Sequence, residues 1–238
     1  MEKLTEMRSF FNELASNYDE RITGKTNGDM EGKQLVASFL PEHTKSLIDF
    51  GIGTGLELEN IFVRFPNIEV VGLDIAENML QMLKEKYSER NIRVYCENYL
   101  DYDFGREQFD AALSIKTLHH FNHEVKTDIY RKIHACLKPN GVYIECDKMA
   151  TNQAQEDFYF AEYERIKREQ GISDDQAYHY DTPCTVDNQR EMLLSAGFRE
   201  VREVWRRESM ATFLPHEEEM LAILVAKKEE RLNDGYSN

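Results

Sequence analysis

The 238-residue chain lacks any apolar run close to the ~20 residues that a membrane-spanning helix needs. Residues 1–8 are charged and precede no apolar segment of the kind that a secretory signal requires. Cysteine is scarce, and Cys96, Cys136, Cys146 and Cys184 form neither a CxxC pair nor a zinc-binding spacing. We therefore expect a cytoplasmic protein without a membrane or metal site. Its first three cysteines should be reduced thiols in or near the core, with Cys184 in a polar loop.

Basic residues are also in short supply, with 29 Lys and Arg against 44 Asp and Glu, for a formal net charge of −15. Such a field repels a phosphate backbone, so nucleic acid is an unfavourable partner. One arginine cluster runs against this trend, comprising Arg199, Arg202, Arg206 and Arg207. Since Glu200 and Glu203 interleave with it, we interpret the cluster as the solvent face of an outer strand. The sequence contains no internal repeat or low-complexity tract.

The most informative segment is a short apolar run that ends in three alternating glycines, Gly51, Gly53 and Gly55, and then becomes helical. Glycines in such a strand–turn–helix let the backbone approach a ligand closely at a helix N-terminus. A second apolar strand ends in Asp74, about 20 residues beyond the turn, where an acid is placed to bind ribose hydroxyls. Together these features predict an adenosine-type cofactor.

Apolar periodicity alternates between strands and helices, which predicts a mostly parallel α/β sheet covered on both faces. The predicted strands are residues 46–50, 68–74, 92–97, 109–115, 142–145, 198–207 and 219–227. The predicted helices are residues 55–64, 76–87, 123–137 and 186–196, with a stop-and-turn signal at 138–141. The last two strands suggest an antiparallel hairpin at one sheet edge. Residues 150–182 form a polar, aromatic-rich, partly helical insert, and residues 233–238 should fray.

This order of elements resembles the class I S-adenosylmethionine-dependent methyltransferases, and within them the ubiquinone/menaquinone-type small-molecule group. The resemblance is carried by residues 49–55, 74–80, 109–114 and 137–141, and by residues 11–19, which resemble that group's cap helix. It covers residues 8–148 closely and 185–227 loosely. It implies a Rossmann-like, doubly wound, seven-stranded sheet with an antiparallel last strand. It also implies one domain over 1–238, with an N-terminal cap in 1–30 and a lid in 150–182.

The resemblance implies S-adenosyl-L-methionine as the cofactor and a small molecule as the methyl acceptor. Gly51, Ile52, Gly53 and Gly55 would line its methionine portion, Asp74 would bind the ribose, and Ile75 and Met79 would enclose the adenine. Ser114 and Ile115 would lie beside the sulfonium. Where the family usually has an acid after the third strand, this chain has Asn98, followed by Tyr99. An amide oxygen can still accept a hydrogen bond from the adenine amino group.

Methyl transfer depends mainly on alignment, and a general base is needed only when the acceptor carries a proton. His119 and His120 follow the fourth strand at the ligand-binding edge. They could act as a base or bind substrate, or pack beneath the sheet edge. We favour the structural role, with His120 the better catalytic candidate. A metal role is not expected, because adjacent side chains diverge and the spacing fixes no third ligand. Tyr18 could close over the methionine carboxylate or simply pack.

Candidates for the acceptor pocket lie after the fourth and fifth strands. Residues 178–181 could line it or form a surface loop, and Glu145 and Asp147 could bind a cationic substrate or be solvated acids. Lys116 could pair with an anionic acceptor. Phe158, Tyr159 and Tyr163 have roughly helical spacing, typical of a lid core.

Other functions remain open at this point. A nicotinamide oxidoreductase also binds its cofactor with a glycine turn and a following acid. Its typical turn is Gly-x-Gly-x-x-Gly, whereas the turn here is Gly-x-Gly-x-Gly. The chain could also be a cofactor-binding protein, an enzyme that modifies the cofactor itself, or a tRNA methyltransferase. The acceptor atom and the choice between monomer and homodimer are not determined.

Overall fold

The structure is a computed structural model that describes residues 4–24, 29–173, 177–208 and 220–230. Its helices are α1 Met7–Thr23, α2 Asp29–Phe39, α3 Leu58–Arg64, α4 Glu77–Lys86, α5 His123–Cys136, α6 Gln153–Gln170 and α7 Val186–Ser195. Its strands are β1 Ser46–Phe50, β2 Glu69–Asp74, β3 Ile92–Cys96, β4 Phe109–Ile115, β5 Leu137–Met149, β6 Glu200–Glu208 and β7 Met220–Lys227. The expected fraying of residues 233–238 and the strand start at residue 219 lie outside the described residues.

The seven strands form one sheet in the order β3-β2-β1-β4-β5-β7-β6. Strands β1 to β5 pair in parallel, whereas β7 is antiparallel to both β5 and β6. The predicted Rossmann-like sheet with an antiparallel last strand is therefore confirmed. From β1 the chain adds β2 and β3 on one side of the sheet, and it then crosses back to add β4 on the other side of β1. Open α/β sheets bind ligands at such a switch point, in the crevice at the carboxyl ends of the strands.

Helices cover both faces of the sheet because its central strands are apolar on both sides. The five C-terminal residues of β4 are buried, as the almost pure apolar run predicted. One core cluster joins the sheet to α5 and α7, with Ile129, Ile133 and Leu193. The other joins it to α2, α3 and α4, with Val36, Ile61 and Leu83.

Strand β5 is much longer than the predicted residues 142–145. Phe109 pairs with Leu137 and Ala111 with Val142, so the intervening residues 138–141 bulge out of one continuous strand. Asn140 adopts a φ of 64° in this bulge. The stop-and-turn signal at 138–141 thus coincides with a bulge inside β5, just after α5 ends at Cys136. Beyond residue 145, β5 continues because β7 pairs with it as far as Met149.

Two helices also differ from expectation. Helix α3 begins at Leu58 and not at residue 55, because the glycine turn extends through Gly55, whose φ is 68°. Helix α2 was not predicted, and it packs against α3, β5 and β7. None of the described helices combines the length and the apolar character that crossing a membrane requires.

The cysteine predictions were partly wrong. All four thiols are free, and Cys136 and Cys146 are buried as expected. Cys96 is exposed because β3 is an edge strand, and Cys184 is buried, not in a polar surface loop. Its sulfur accepts a hydrogen bond from the buried Lys126 at 3.2 Å.

The arginine cluster lies on the edge strand β6 and its neighbours. Arg206 Nε contacts Glu203 Oε1 at 2.5 Å, Arg202 Nε contacts Glu200 Oε1 at 3.1 Å, and Arg207 pairs with Glu31. These ion pairs agree with the interpretation of a solvated strand face.

Candidate active site

The glycine turn after β1 is held by main-chain hydrogen bonds from Gly51 and Ile52 to the carbonyl of Leu73, at 2.8 and 3.1 Å. Gly51 has a φ of 69°, and a Cβ at this position would lie 2.7 Å from the Cβ of Thr117. Gly53 has a φ of 53°, but a Cβ there would meet no side chain. Gly51 is therefore required by packing, whereas Gly53 leaves open space beside the main chain.

Asp74 ends β2 directly beside this turn. Its Oδ2 accepts a hydrogen bond from the Gly53 amide at 2.9 Å, and its Oδ1 accepts one from the Ala76 amide at 2.8 Å. Burial raises the pKa of Asp74 to about 6, although these amides favour the charged form. A carboxylate has about four acceptor positions, so Asp74 can accept further hydrogen bonds from a ligand.

The turn and Asp74 border a cavity of about 310 Å³ at the carboxyl ends of the strands. Most of the predicted site residues line it, namely Tyr18, Gly51, Ile52, Gly53, Gly55, Asp74, Ile75, Met79, Asn98, Tyr99, Ile115 and His120. The structure thus brings together predicted residues from α1, β2, α4 and β4 and from the loops that follow β1, β2, β3 and β4.

Ser114 and His119 are not among the residues that line the cavity. Ser114 is fully buried within the sheet, where its hydroxyl lies 2.6 Å from the Tyr143 hydroxyl. This placement follows from strand alternation, since neighbouring residues point to opposite faces and Ile115 reaches the cavity instead.

Three charged side chains behind the turn were not singled out from the sequence. Lys33 of α2 lines the cavity and contacts Glu57 Oε2 at 2.8 Å. Asp49 Oδ2 and Glu57 Oε1 are buried and have no hydrogen-bond partner within the described part of the chain. Burial and the neighbouring Glu57 raise the pKa of Asp49 well above its usual value. Lys33 can therefore balance the charge of one of the two buried acids, Asp49 and Glu57, but not of both.

A histidine–aspartate network lies on the other side of the cavity, in the 3-10 turn Leu118–His120. His119 Nδ1 lies 2.5 Å from Asp147 Oδ1, and Asp147 Oδ2 accepts the amide hydrogens of Leu118 and His119. Asp181 Oδ1 is 3.3 Å from both His119 Nε2 and His120 Nδ1. Burial opposes the charged form of His119, but Asp147 and Asp181 outweigh it and raise its pKa. Burial and His119 hold the pKa of His120 well below its usual value, so His120 is a neutral imidazole.

Two segments that pair with each other border the cavity. The Met7 amide donates to the Ala177 carbonyl at 3.0 Å, and the His179 amide donates to the Thr5 carbonyl at 2.9 Å. We call residues 5–7 and 177–179 the roof. Glu6, Met7 and Ala177 of the roof line the cavity.

Several acceptor-side expectations were wrong. Glu145 and Asp147 are neither solvated nor cavity-lining: Glu145 accepts hydrogen bonds from Tyr130 and Gln189, and Asp147 binds His119. Residues 178–181 do not line the cavity either, although their neighbour Ala177 does.

The aromatic side chains of the insert also differ from a simple lid core. Phe158 is 46% exposed, and none of Phe158, Tyr159 and Tyr163 lines the cavity. Tyr163 instead stacks on Tyr180, with the ring centroids 5.2 Å apart. Lys116 does line the cavity, with a φ of 54°.

With this geometry established, comparison with known proteins is informative. Residues 47–141 match the family described as "Methyltransferase domain". The carboxy-S-adenosyl-L-methionine synthase of Nautilia profundicola is 26% identical over 225 residues, which covers 86% of this chain and 92% of that protein. The phosphoethanolamine N-methyltransferase of Plasmodium falciparum is 25% identical over 214 residues, which covers 89% of this chain and 79% of that protein.

Solved structures share the fold. A possible histamine N-methyltransferase from Thermotoga maritima aligns with a TM-score of 0.63 and 18% identity, covering 94% of this chain and all of that chain. The 1,6-didemethyltoxoflavin-N1-methyltransferase of Burkholderia thailandensis, solved with S-adenosylhomocysteine, aligns with a TM-score of 0.62 and 19% identity. That alignment covers 94% of this chain and 88% of the other.

The strand order, the glycine turn and the acid after β2 define a Rossmann-like enzyme that binds a nucleoside at the carboxyl edge of its sheet. With the match over residues 47–141 and these relatives, the chain is similar to the class I S-adenosylmethionine-dependent methyltransferases. The narrower assignment to the ubiquinone/menaquinone-type group stays a prediction.

The residues at the site fit this cofactor. Gly53 leaves space beside the main chain, and Asp74 keeps acceptor capacity for hydroxyl groups. The buried oxygens of Asp49 and Glu57 that lack a partner among the described residues suit a cationic ligand such as an amino acid ammonium group.

Proposed function

We propose that this enzyme methylates a small-molecule acceptor inside the roofed cavity. The observation that carries the proposal is the pairing between the N-terminal segment and the insert, which brings Glu6, Met7 and Ala177 to the cavity. A macromolecular acceptor would have to part these main-chain hydrogen bonds, whereas a metabolite can be enclosed whole. The net charge of −15 disfavours a tRNA acceptor further.

We assign the cofactor to the side of the cavity formed by the turn. Asp74 would accept the ribose hydroxyls, Ile75 and Met79 would contact the adenine, and Asn98 would accept from its amino group. The Asn98 side-chain oxygen already accepts from the Leu100 amide at 3.0 Å, which fixes its orientation and leaves one lone pair for a ligand.

The methionine portion would lie towards Gly51–Gly53 and the buried charges behind them. Lys33 suits the carboxylate of that portion, and the acids Asp49 and Glu57 compensate a nearby positive charge. Tyr18 lines the same cavity from α1, where it can help to close the site.

The remaining lining residues would then bind the acceptor, among them Phe11, Lys116, His120 and Phe121. S-adenosylmethionine, when bound, supplies an electrophilic methyl group on a sulfonium. His120 is neutral and faces the cavity, so it can take the proton of a hydroxyl or amine acceptor. Enclosure under the roof excludes water and restricts the acceptor's orientation.

Transfer of a labelled methyl group to metabolite fractions tests the proposal. Label should enter a low-molecular-weight product with the wild-type protein and not with Asp74→Ala. His120→Gln should lower kcat while S-adenosylhomocysteine still shifts the melting temperature. Label found only in RNA or protein would refute a small-molecule acceptor.

One further observation favours a second function, modification of the cofactor itself. Two carboxy-S-adenosyl-L-methionine synthases, from Nautilia profundicola and Campylobacter hominis, are each 26% identical to this chain and align over 86% of it, beyond the domain match at 47–141. The alignments therefore include much of the chain outside the cofactor-binding core. Mass spectrometry of the nucleotide that co-purifies with the protein distinguishes the two. A carboxylated derivative would establish the second function, and ordinary S-adenosylmethionine alone would count against it.

A further inference from the structure

We infer that His119, His120 and Asp181 form a binding site for a divalent first-row transition metal ion at the edge of the cavity. The carboxylate comes from the insert and the two imidazoles from the turn after β4, so the three donors are distant in sequence. Two imidazoles and one carboxylate are a donor set that Zn²⁺, Fe²⁺ and Co²⁺ accept.

The distances fit ligation better than hydrogen bonding. Metal–ligand bonds of about 2.0–2.2 Å place neighbouring donor atoms roughly 3.0–3.5 Å apart. Asp181 Oδ1 lies 3.3 Å from His119 Nε2 and 3.3 Å from His120 Nδ1. A charge-assisted hydrogen bond would be about 2.7–2.9 Å. In agreement, Asp181 Oδ1 is a buried atom without a hydrogen-bond partner among the residues the structure describes.

The surroundings orient the donors as second-shell groups do in metal sites. His119 Nδ1 binds Asp147, which fixes the ring with Nε2 directed at Asp181. Lys148 holds the other carboxylate oxygen, Asp181 Oδ2, at 2.6 Å. The Tyr180 carbonyl lies 3.1 Å from His120 Nδ1 and accepts a hydrogen bond from it when no ion is bound. The predicted divergence of adjacent histidines does not hold, since their ring centroids are 4.0 Å apart.

A second group of possible ligands, His123, Glu156 and Cys184, provides an internal comparison. There the donors already have partners: Glu156 Oε1 lies 2.6 Å from His123 Nε2, and Glu156 Oε2 accepts from the Thr185 amide at 2.5 Å. The Cys184 sulfur already accepts a hydrogen bond from Lys126 at 3.2 Å. We therefore expect the first group to bind a metal ion and the second group not to bind one.

The position of the site suggests what an ion would do. His120 lines the cavity, so coordination positions left open by three protein ligands would face the acceptor. A hydroxyl oxygen of the acceptor could then bind the ion, which would lower the pKa of that hydroxyl. This role, unlike the metal site itself, rests on the proposed function. With an ion bound, His120 acts as a ligand and not as a base.

Cobalt titration of the chelator-treated protein tests the site directly. Co²⁺ should bind at one equivalent with visible d–d absorption and should shift the imidazole proton resonances of His119 and His120. Asp181→Asn and His120→Gln should each weaken binding by more than the roughly 10–100-fold expected for a second-shell change. Cys184→Ser should leave the titration unchanged.

The inference is overturned if the wild-type protein does not bind Co²⁺, or if binding survives in both ligand variants. A thiolate-to-cobalt charge-transfer band that disappears in Cys184→Ser would assign the ion to the other group and also overturn it. Binding of S-adenosylhomocysteine by each variant shows that it is folded, and the imidazole resonances need no variant at all. Failure of the methyl-transfer screen would leave the cobalt result intact, so the two proposals fail separately.

Discussion

The affinity for S-adenosylhomocysteine should depend on pH through one group, Asp74. Burial raises the pKa of this carboxyl to about 6, so it becomes protonated as the pH falls through that value. About nine in ten molecules carry the carboxylate at pH 7 and about one in ten at pH 5. If only the carboxylate accepts both ribose hydroxyls, affinity falls about tenfold over this interval, or about 1.4 kcal/mol.

The sign of the effect on folding is the opposite, which separates loss of binding from unfolding. Because the folded pKa is raised, the contribution of Asp74 to the stability of the ligand-free protein is fully present below the unfolded pKa of about 3.9. It is lost as the pH rises through about 6. Acidification should therefore weaken ligand binding, whereas protonation of Asp74 should not destabilise the fold.

Isothermal titration calorimetry with S-adenosylhomocysteine between about pH 5 and pH 7 is the assay. The ligand's α-carboxyl and α-amino groups titrate outside this window. Asp74→Asn should bind more weakly at every pH and lose the slope. Asp110→Asn is the matched control, because Asp110 pairs with Lys138 away from the cavity. A flat wild-type profile, or a slope that persists in Asp74→Asn, would refute the reasoning.

Three further predictions concern single side chains. Gly53→Ala and Gly171→Ala, at φ values of 53° and 64°, should each cost roughly 1–2 kcal/mol of stability in thermal unfolding. Only Gly53→Ala should lose S-adenosylhomocysteine affinity, and equal affinities would contradict the assigned role. Lys33→Met should lower the free energy of unfolding in urea by about 3–5 kcal/mol, because it leaves the buried Glu57 unpaired. Arg131→Met, which removes an exposed ion pair with Asp128, should cost at most about 1 kcal/mol. Burial and Asp147 raise the pKa of Glu145 to about 8, so its contribution to stability should be lost as the pH rises through that value. Glu145→Gln should lack this decline, and parallel pH profiles would count against it.

The part of the site that sequence could predict is the part built by local rules. A glycine turn after a strand and an acid about 20 residues later have a fixed spacing, so Gly51, Gly53 and Asp74 were identified together. The mostly parallel α/β class followed from apolar periodicity, and the doubly wound sheet with an antiparallel last strand followed from the family resemblance. The prediction that Ser114 lines the cavity was wrong, because side chains alternate along a strand and the register decides which of them faces the cavity.

The residues that were missed depend on contacts distant along the chain. Lys33 comes from α2, whose pattern gave no helix prediction, and it meets Glu57 across 24 residues of sequence. Asp181 meets His119 and His120 only because the insert folds back over the turn after β4. Cys184 was predicted to lie in a polar loop, yet it is buried beside Lys126 of α5.

The roof has a consequence for how this enzyme is handled. Because Thr5 and Met7 contribute main-chain hydrogen bonds to it, the first described residues of the chain help to shape the wall of the cavity. An affinity tag or fusion partner placed ahead of residue 5 would therefore lie close to the binding site. Activity and affinity should be compared with and without such an N-terminal extension.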